Sequence, residues 1–189
     1  MKRFFSKLFN KLSSGESDSK DQNFNQSVVP SEAKSISEIL GDKIIDIKMF
    51  YESQGENGWL DTVLTYIVLE KNGVINFPFS GALDFDNVTI DTRAEKISER
   101  ALPNIIGQTI NDLYYEHDED GEPAEDWFAF IELSNCFVIH ENRMAPHGTG
   151  AANLFLYTKE QFEEKLESEE YNLRSLKQIL SEKQDRRLT

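Results

Sequence analysis

The chain has 189 residues, of which 39% are hydrophobic, and its 34 acidic and 20 basic residues give a formal net charge of −14. This length favours one domain, or two very small ones, with a real core, and the acidity argues against nucleic-acid binding, which needs clustered Lys and Arg. The single cysteine, Cys136, excludes an internal disulfide and a multi-cysteine zinc site. No apolar run approaches the ~18 residues that cross a bilayer, so we expect a soluble, cytoplasmic protein.

Residues 1–12, "MKRFFSKLFNKL", form a basic segment. Ser6 and Lys7 interrupt its apolar residues, which argues against a secretory signal. The segment holds four bases and no acid, so the remaining residues sum to −18, which is −14 minus 4. Its apolar residues have helical spacing, which favours weak contact with a partner groove or a peripheral position on the inner membrane surface. They are Phe4, Phe5, Leu8, Phe9 and Leu12.

A polar stretch, residues 13–30, follows this segment, and we predict a disordered linker there because it has little to bury. Residues 31–167 are predicted to form a single β-rich domain that contains an internal repeat. "ILGDKIIDIKMF" begins at Ile39 and "IIGQTINDLYYE" begins at Ile105, and the same offset pairs Gly with Gly and Asp with Asp. The predicted repeat units cover residues 31–92 and 93–157.

Each unit is predicted to contain a short helix, a strand and a hairpin. Gly41 and Gly107 fall where a helix would end, a position that favours Gly because it adopts positive φ readily. In the first unit Asn72-Gly73 separates two apolar runs, and Asn-Gly is the strongest short hairpin signal. The sequence therefore predicts an α+β fold, mainly antiparallel β built from two similar helix-strand-hairpin units, with a C-terminal helix.

The C-terminal segment, residues 158–189, is predicted to be helical. Thr158 and Gln161 match the capping-box pattern Thr-x-x-Gln that begins a helix. Downstream, apolar residues recur at helical spacing, interrupted by Glu169 and Glu170, which favours one long helix or two. These apolar residues are Phe162, Leu166, Leu173, Leu176 and Leu180.

The histidines and the cysteine are the residues best suited to catalysis or metal binding. His140, Glu141 and His147 approach one another if the chain turns back between them, so they are candidates for a metal site, a hydrolase or a metal-dependent enzyme. Zinc prefers three or four ligands, no Gly-x-Ser-x-Gly elbow is present, and Cys136 lies in an apolar run where a buried role is common. We therefore expect no catalytic residue, no metal and no cofactor, and we interpret His140 as a half-exposed edge residue.

The stretch "EHDEDGEPAEDW", residues 116–127, is strongly acidic. Gly121 comes too early in it for an EF-hand, so we expect a solvated loop between strands rather than a calcium site. Aromatic residues in or beside acidic stretches are typical interface anchors. The candidate partner-binding residues are therefore Trp59, Tyr114, Tyr115, Asp118, Asp120, Glu122 and Trp127.

In size, acidity and β-rich design, residues 31–167 resemble the small cytoplasmic immunity proteins that bacteria keep against contact-delivered toxins, and they also resemble bacterial families of unassigned activity. Many immunity proteins are acidic because they cover basic, nucleic-acid-cleaving active sites. The resemblance implies a non-enzymatic protein-binding module whose partner is a basic protein. It assigns a role to no single residue, because it rests on general character and on no motif.

Overall fold

The computed structural model describes residues 33–54, 59–97, 100–124, 127–142, 153–168 and 171–188. Only the backbone is described for residues 51–54, 59–63, 142, 153 and 186–188. The basic segment 1–12, the linker 13–30 and His147 lie outside the described residues, so what we predict for them stays a prediction.

Strands make up most of the regular structure. They are β1 (Lys34–Ser35), β2 (Ile44–Gln54), β3 (Trp59–Leu69), β4 (Gly73–Asn76), β5 (Asp84–Phe85), β6 (Glu95–Lys96), β7 (Ile110–Glu116), β8 (Phe130–Leu133), β9 (Val138–Asn142), β10 (Asn153–Tyr157) and β11 (Leu173–Ser175). The helical segments are a 3₁₀ turn (Ile36–Ile39), α1 (Leu102–Ile105), α2 (Lys159–Glu167) and α3 (Leu176–Leu188).

The strands form a four-stranded sheet in the order β4-β3-β2-β6, a five-stranded sheet in the order β10-β9-β8-β7-β11, and a two-stranded β1-β5 pair. Every strand pair among the described residues is antiparallel. Most neighbouring strands follow one another along the chain, which short turns allow only in antiparallel pairs. The fold is therefore α+β and mainly antiparallel, with a C-terminal helix, and the prediction is confirmed at this level.

The two larger sheets are joined by backbone hydrogen bonds where β2 and β7 begin. The N–H of Gly41 donates to the carbonyl of Ile110 at 2.8 Å, and the N–H of Gly107 donates to the carbonyl of Ile44 at 2.8 Å. Both glycines have positive φ, 78° and 84°, which a side chain disfavours. Each glycine thus lets the chain leave a helical turn and bond across to the other sheet.

The main core is built by side chains from both larger sheets. Because neighbouring strand residues point to opposite faces, Leu113 and Tyr115 of β7 face this core while Tyr114 faces away. On the opposite face of the five-stranded sheet, Phe162 of α2 packs with Phe130. Fully buried core side chains include Ile47, Ile67, Leu113, Ile131 and Ile139.

The C-terminal segment begins with the predicted capping box. The N–H of Gln161 donates to Oγ1 of Thr158 at 3.3 Å, and the N–H of Thr158 donates to Oε1 of Gln161 at 2.9 Å. The segment forms two helices, α2 and α3, rather than one. Leu173, which the helical spacing includes, lies instead in the edge strand β11 between them.

A single buried carboxylate closes the β3–β4 hairpin. Asp42 is 1% exposed, and its oxygens accept hydrogen bonds from the N–H of Lys43 at 2.8 Å, of Lys71 at 3.1 Å and of Asn72 at 2.9 Å. The side-chain amide of Asn72 donates to the same carboxylate at 3.0 Å. Asp42 therefore ties the start of the first large sheet to its own hairpin.

Two loops meet tightly at Gly81 and Pro123. Gly81 has φ of 76°, and a Cβ built there would lie 2.4 Å from Cβ of Pro123. Beside this contact, the Tyr115 hydroxyl donates to the carbonyl of Ala82 at 2.5 Å. The loop that precedes β5 is thus held against the loop that follows β7.

We expect Gly81→Ala to lower the free energy of unfolding by about 2–3 kcal/mol, because alanine meets both an unfavourable φ and a steric overlap. The measurement is urea unfolding followed by circular dichroism. Gly121→Ala is the matched control, since Gly121 has φ of 81° but no atom within 4 Å of its Cβ position. The control is expected to lose only about 1 kcal/mol, and equal losses in both variants would show that Pro123 moves aside freely.

Candidate protein-binding surface

The loop that follows β7 presents its carboxylates to solvent on a fixed backbone. Oδ1 of Asp118 accepts hydrogen bonds from the N–H of Asp120 at 3.0 Å and of Glu122 at 3.0 Å. The side chains of Glu119, Asp120 and Glu122 are exposed. Three local bonds, including that from the Gly121 N–H to the Asp118 carbonyl at 3.0 Å, hold the chain in a turn.

Helix α2 presents a second group of carboxylates. Its inner side buries Phe162, while Glu160, Glu163, Glu164 and Glu167 are exposed. These glutamates are spaced i, i+3, i+4 and i+7, which places them on one face of the helix. Hydrogen bonds with its own backbone and with Thr158 at the start of the helix lower the pKa of Glu160.

The bases of α2 are directed away from this face or are paired. Nζ of Lys165 lies 4.3 Å from the ring centre of Tyr171 and 5.1 Å from that of Tyr157, which are cation–π distances. Nζ of Lys159 lies 3.5 Å from Oε1 of Glu163, and both side chains are more than half exposed. The outward charge of α2 is therefore negative.

Helix α2 begins after Tyr157, at the end of the five-stranded sheet opposite the loop, and runs back towards the end that carries the loop. β7 and β11 are antiparallel, so the loop after β7 meets the chain that leads from α2 into β11. The N–H of His117 donates to the carbonyl of Asn172 at 2.9 Å, and the Asn172 amide donates to the carbonyl of Asp118 at 3.5 Å. We call the exposed carboxylates of the loop and of α2 together the acidic surface: Asp118, Glu119, Asp120, Glu122, Glu160, Glu163, Glu164 and Glu167.

Sequence reasoning selected only part of the acidic surface. Asp118, Asp120 and Glu122 belong to the predicted partner-binding set, whereas the glutamates of α2 do not. Their helical spacing behind the Thr158 capping box was the signal that could have found them.

The predicted aromatic anchors differ in how far they are buried. The Tyr114 ring is half-buried, 5.0 Å from that of Phe162, and its hydroxyl donates to Oε2 of Glu132 at 3.2 Å. Burial first, and then the charge of Glu132, raise the pKa of Tyr114 to about 12. Trp127 is half-buried in the loop before β8. The side chain of Trp59 lies outside the described residues.

Tyr115 lies in the core. Its side chain is fully buried, and burial raises the pKa of its hydroxyl far above the usual value. Because it has no surface to offer a partner, we leave it out of the proposed binding residues. The physical reason is the alternation of a strand, which turns Tyr114 and Tyr115 to opposite faces.

His140 and Glu141 do not form one site. They are successive residues of β9, so their side chains point to opposite faces of the sheet. His140 is 5% exposed rather than half-exposed, because β9 lies between β8 and β10 instead of at an edge. Its ring stacks on Phe130 with centroids 3.9 Å apart, and burial lowers its pKa to about 4. His147 lies outside the described residues.

Neither the acids nor the cysteine add a metal site within the described part of the chain. No group of three or more His, Cys, Asp or Glu side chains there is placed to hold a metal ion. Cys136, expected to be buried, is exposed and has φ of 67°. It occupies the left-handed position of the β8–β9 turn, a position that three-residue hairpin loops require.

Comparison of the chain with protein-family models, with curated proteins and with solved structures gave no match. In the described ranges, no helix is both long enough and apolar enough to span a bilayer.

Proposed function

We propose that this chain is a non-enzymatic, acidic protein-binding module that covers a basic surface of a partner protein, in the manner of an immunity-type inhibitor. The observation that carries the proposal is the acidic surface, which gathers eight exposed carboxylates from one loop and one helix. Opposite potentials speed association and select the partner.

Rigidity of the acidic surface supports this proposal. Bonds from Asp120 and Glu122 to Asp118 fix the loop, and Phe162 anchors α2 on the sheet. A surface that is already ordered loses little conformational entropy on binding. Exposed Leu166, which is 39% accessible on α2, adds an apolar contact among the charges.

The test is capture of partners from lysate of the native host at low salt, with three immobilised proteins compared. The first is the wild type and the second neutralises six carboxylates of the acidic surface. The third is a control that neutralises three exposed acids in or beside β5 and β6, outside the acidic surface. The neutralised sites are Glu119→Gln, Asp120→Asn, Glu122→Gln, Glu163→Gln, Glu164→Gln and Glu167→Gln, and the control sites are Asp84→Asn, Asp86→Asn and Glu95→Gln.

We expect the wild type and the control to retain the same basic protein and the six-site variant to bind it on the order of tenfold more weakly. Asp118 is kept in all three proteins because its carboxylate shapes the loop. Titration of the purified partner by calorimetry at two salt concentrations gives the affinities. Recovery of no basic protein, or equal affinity for the wild type and the six-site variant, contradicts the proposal.

We further infer that the two halves of the domain are related units. Lys43 and Thr109, which are 66 residues apart, form an antiparallel bridge at the centre of the junction between the sheets. The N–H of Ile44 donates to the carbonyl of Gln108 at 2.9 Å, and the N–H of Ile110 donates to that of Asp42 at 2.9 Å. These two bonds are equivalent, because the offset of 66 residues relates Ile44 to Ile110 and Asp42 to Gln108.

Details beside the junction support the same inference. The strand register shifts after Ile44 and again after Ile110. The turn amide of Asn72 donates to the carbonyl of Glu38 at 2.9 Å, and that of Asn135 donates to the carbonyl of Asn104 at 2.9 Å. Both acceptors lie in the helical turn that precedes the strand of their unit.

A second candidate function is attachment to a membrane surface through residues 1–12. The spacing of Phe4, Phe5, Leu8, Phe9 and Leu12 among four bases favours it. Flotation with vesicles of phosphatidylcholine and phosphatidylserine, with and without residues 1–12, tests the candidate. We expect the full chain to float weakly and only at low salt, since one short segment binds marginally. Equal flotation of both proteins, or none, ends it.

A further inference from the structure

A cavity opens beside the acidic surface, between the loop before β5, the loop after β7 and helix α3. Its volume is about 290 Å³, near the lower end of the ~300–1,000 Å³ typical of ligand pockets. Leu83, Pro123 and Ile179 supply apolar walls. A space of this size and polarity suits one ring system rather than a nucleotide or a sugar chain.

One buried polar side chain, His117, lines this cavity and is 6% exposed. Its Nδ1 lies 3.0 Å from the carbonyl of Tyr115. A carbonyl only accepts, so Nδ1 is the donor of this bond, and in the neutral ring Nε2 is then an acceptor. Nε2 has no hydrogen-bond partner in the part of the chain that the structure describes. An occupant therefore gains by bringing one donor.

Two cations also line the cavity. Nη2 of Arg174 lies 2.6 Å from Oε2 of Glu182, and Lys183 is on the next position of α3. Cations are attracted to the faces of aromatic rings. An anionic occupant would be repelled by Glu122 and Glu182, which also line the cavity. A purely aliphatic occupant would give Nε2 of His117 no hydrogen-bond donor.

We propose that this cavity binds an aromatic ring that carries one hydrogen-bond donor, supplied as a Tyr or Trp side chain by the basic partner. The proposal rests on the proposed function, because Glu122 belongs both to the acidic surface and to the cavity lining. Bases of the partner then meet the loop carboxylates while the ring enters between Leu83 and Ile179. Aromatic anchors in pockets with a charged rim are typical centres of binding energy.

The test uses small probes, p-cresol and toluene, titrated into the ¹⁵N-labelled full chain and followed by NMR. Both carry the same ring and methyl group, but only p-cresol has a donor. We expect p-cresol to shift the amide signals of the cavity residues and to bind roughly three- to tenfold more tightly than toluene. No shift with p-cresol, or equal affinity for the two probes, overturns the proposal.

Variants assign the effect to the cavity. His117→Phe keeps a ring at this position but offers no acceptor, so the preference for p-cresol over toluene should fall to about one. Leu83→Ala alters a side chain that is 40% exposed, so it keeps the fold, and it should weaken both probes alike. Phe155→Ala, at a similarly exposed ring outside the cavity, should change neither.

The outcomes separate this proposal from the proposed function. Partner capture that depends on the acidic surface, together with no response to p-cresol, overturns only the ring site. A response to p-cresol without any captured basic protein overturns the proposed function and leaves the ring site in place. A captured partner whose affinity is unchanged by Leu83→Ala shows that its side chain does not enter the cavity.

Discussion

Replacing Asp42 by alanine is expected to lower the free energy of unfolding by about 4 kcal/mol, because each buried donor left without an acceptor costs roughly 1–3 kcal/mol. The substitution removes the acceptor of the N–H groups of Lys71 and Asn72 and of the Asn72 amide. Lys71 is exposed and Asn72 is half-buried, so water can replace part of what their N–H groups lose and the losses do not simply add. Urea unfolding followed by tryptophan fluorescence measures the change.

The matched control for this variant is Asp86→Ala. It also removes one carboxylate, but from an exposed side chain, so a change of no more than about 0.5 kcal/mol is expected. Comparing the two separates hydrogen bonding from the loss of one negative charge in an acidic protein. If the two variants unfold at the same urea concentration, Asp42 does not hold the hairpin.

Acidification is expected to destabilise the fold through His140. Burial, and to a smaller extent the nearby ammonium of Lys165, lowers its pKa from 6.5 to about 4. The unfolded chain therefore takes up a proton as the pH falls through 6.5, while the folded chain resists until about 4. Stability is full above the unfolded value and falls by about 2.5 kcal/mol between about pH 7.5 and about pH 4.5.

The variant His140→Phe isolates this contribution. Phenylalanine keeps a ring on Phe130 and cannot take up a proton, so the unfolding free energy of the variant should lack the contribution of His140 to its pH dependence. At every pH the variant is less stable because it lacks the hydrogen bond from the neutral His140 ring to the carbonyl of Ala129, which is 3.2 Å long. The slope with pH, rather than the absolute stability, is therefore the quantity to compare. Parallel pH profiles for both proteins would refute the assignment.

Local signals in the sequence predicted the elements that depend on neighbouring residues. The capping box at Thr158 begins α2, the Asn72-Gly73 turn closes the β3–β4 hairpin, and Gly41 and Gly107 adopt positive φ. Each of these depends on backbone geometry within a few residues, so the residue type alone carries the information.

Features that depend on distant strands were missed. His140 is buried because β9 lies between β8 and β10, whereas the sequence analysis placed it at an edge of the sheet. Cys136 is exposed because β9 begins only at Val138, so Cys136 lies in the turn before the strand rather than within it. The cavity around His117 needs three segments far apart in the chain, and a single sequence does not show which segments meet.

The same distance along the chain bears on how the protein folds during synthesis. Gly41 and its acceptor Ile110 are separated by about 70 residues. Closing a loop of this length lowers the entropy of the chain before the hydrogen bonds between the two sheets can form. Hairpins such as β2–β3 form from neighbouring residues and need no such closure. During synthesis we therefore expect the first large sheet to form with its junction at Gly41 and Ile44 unbonded, and the bonds between the two sheets to form last.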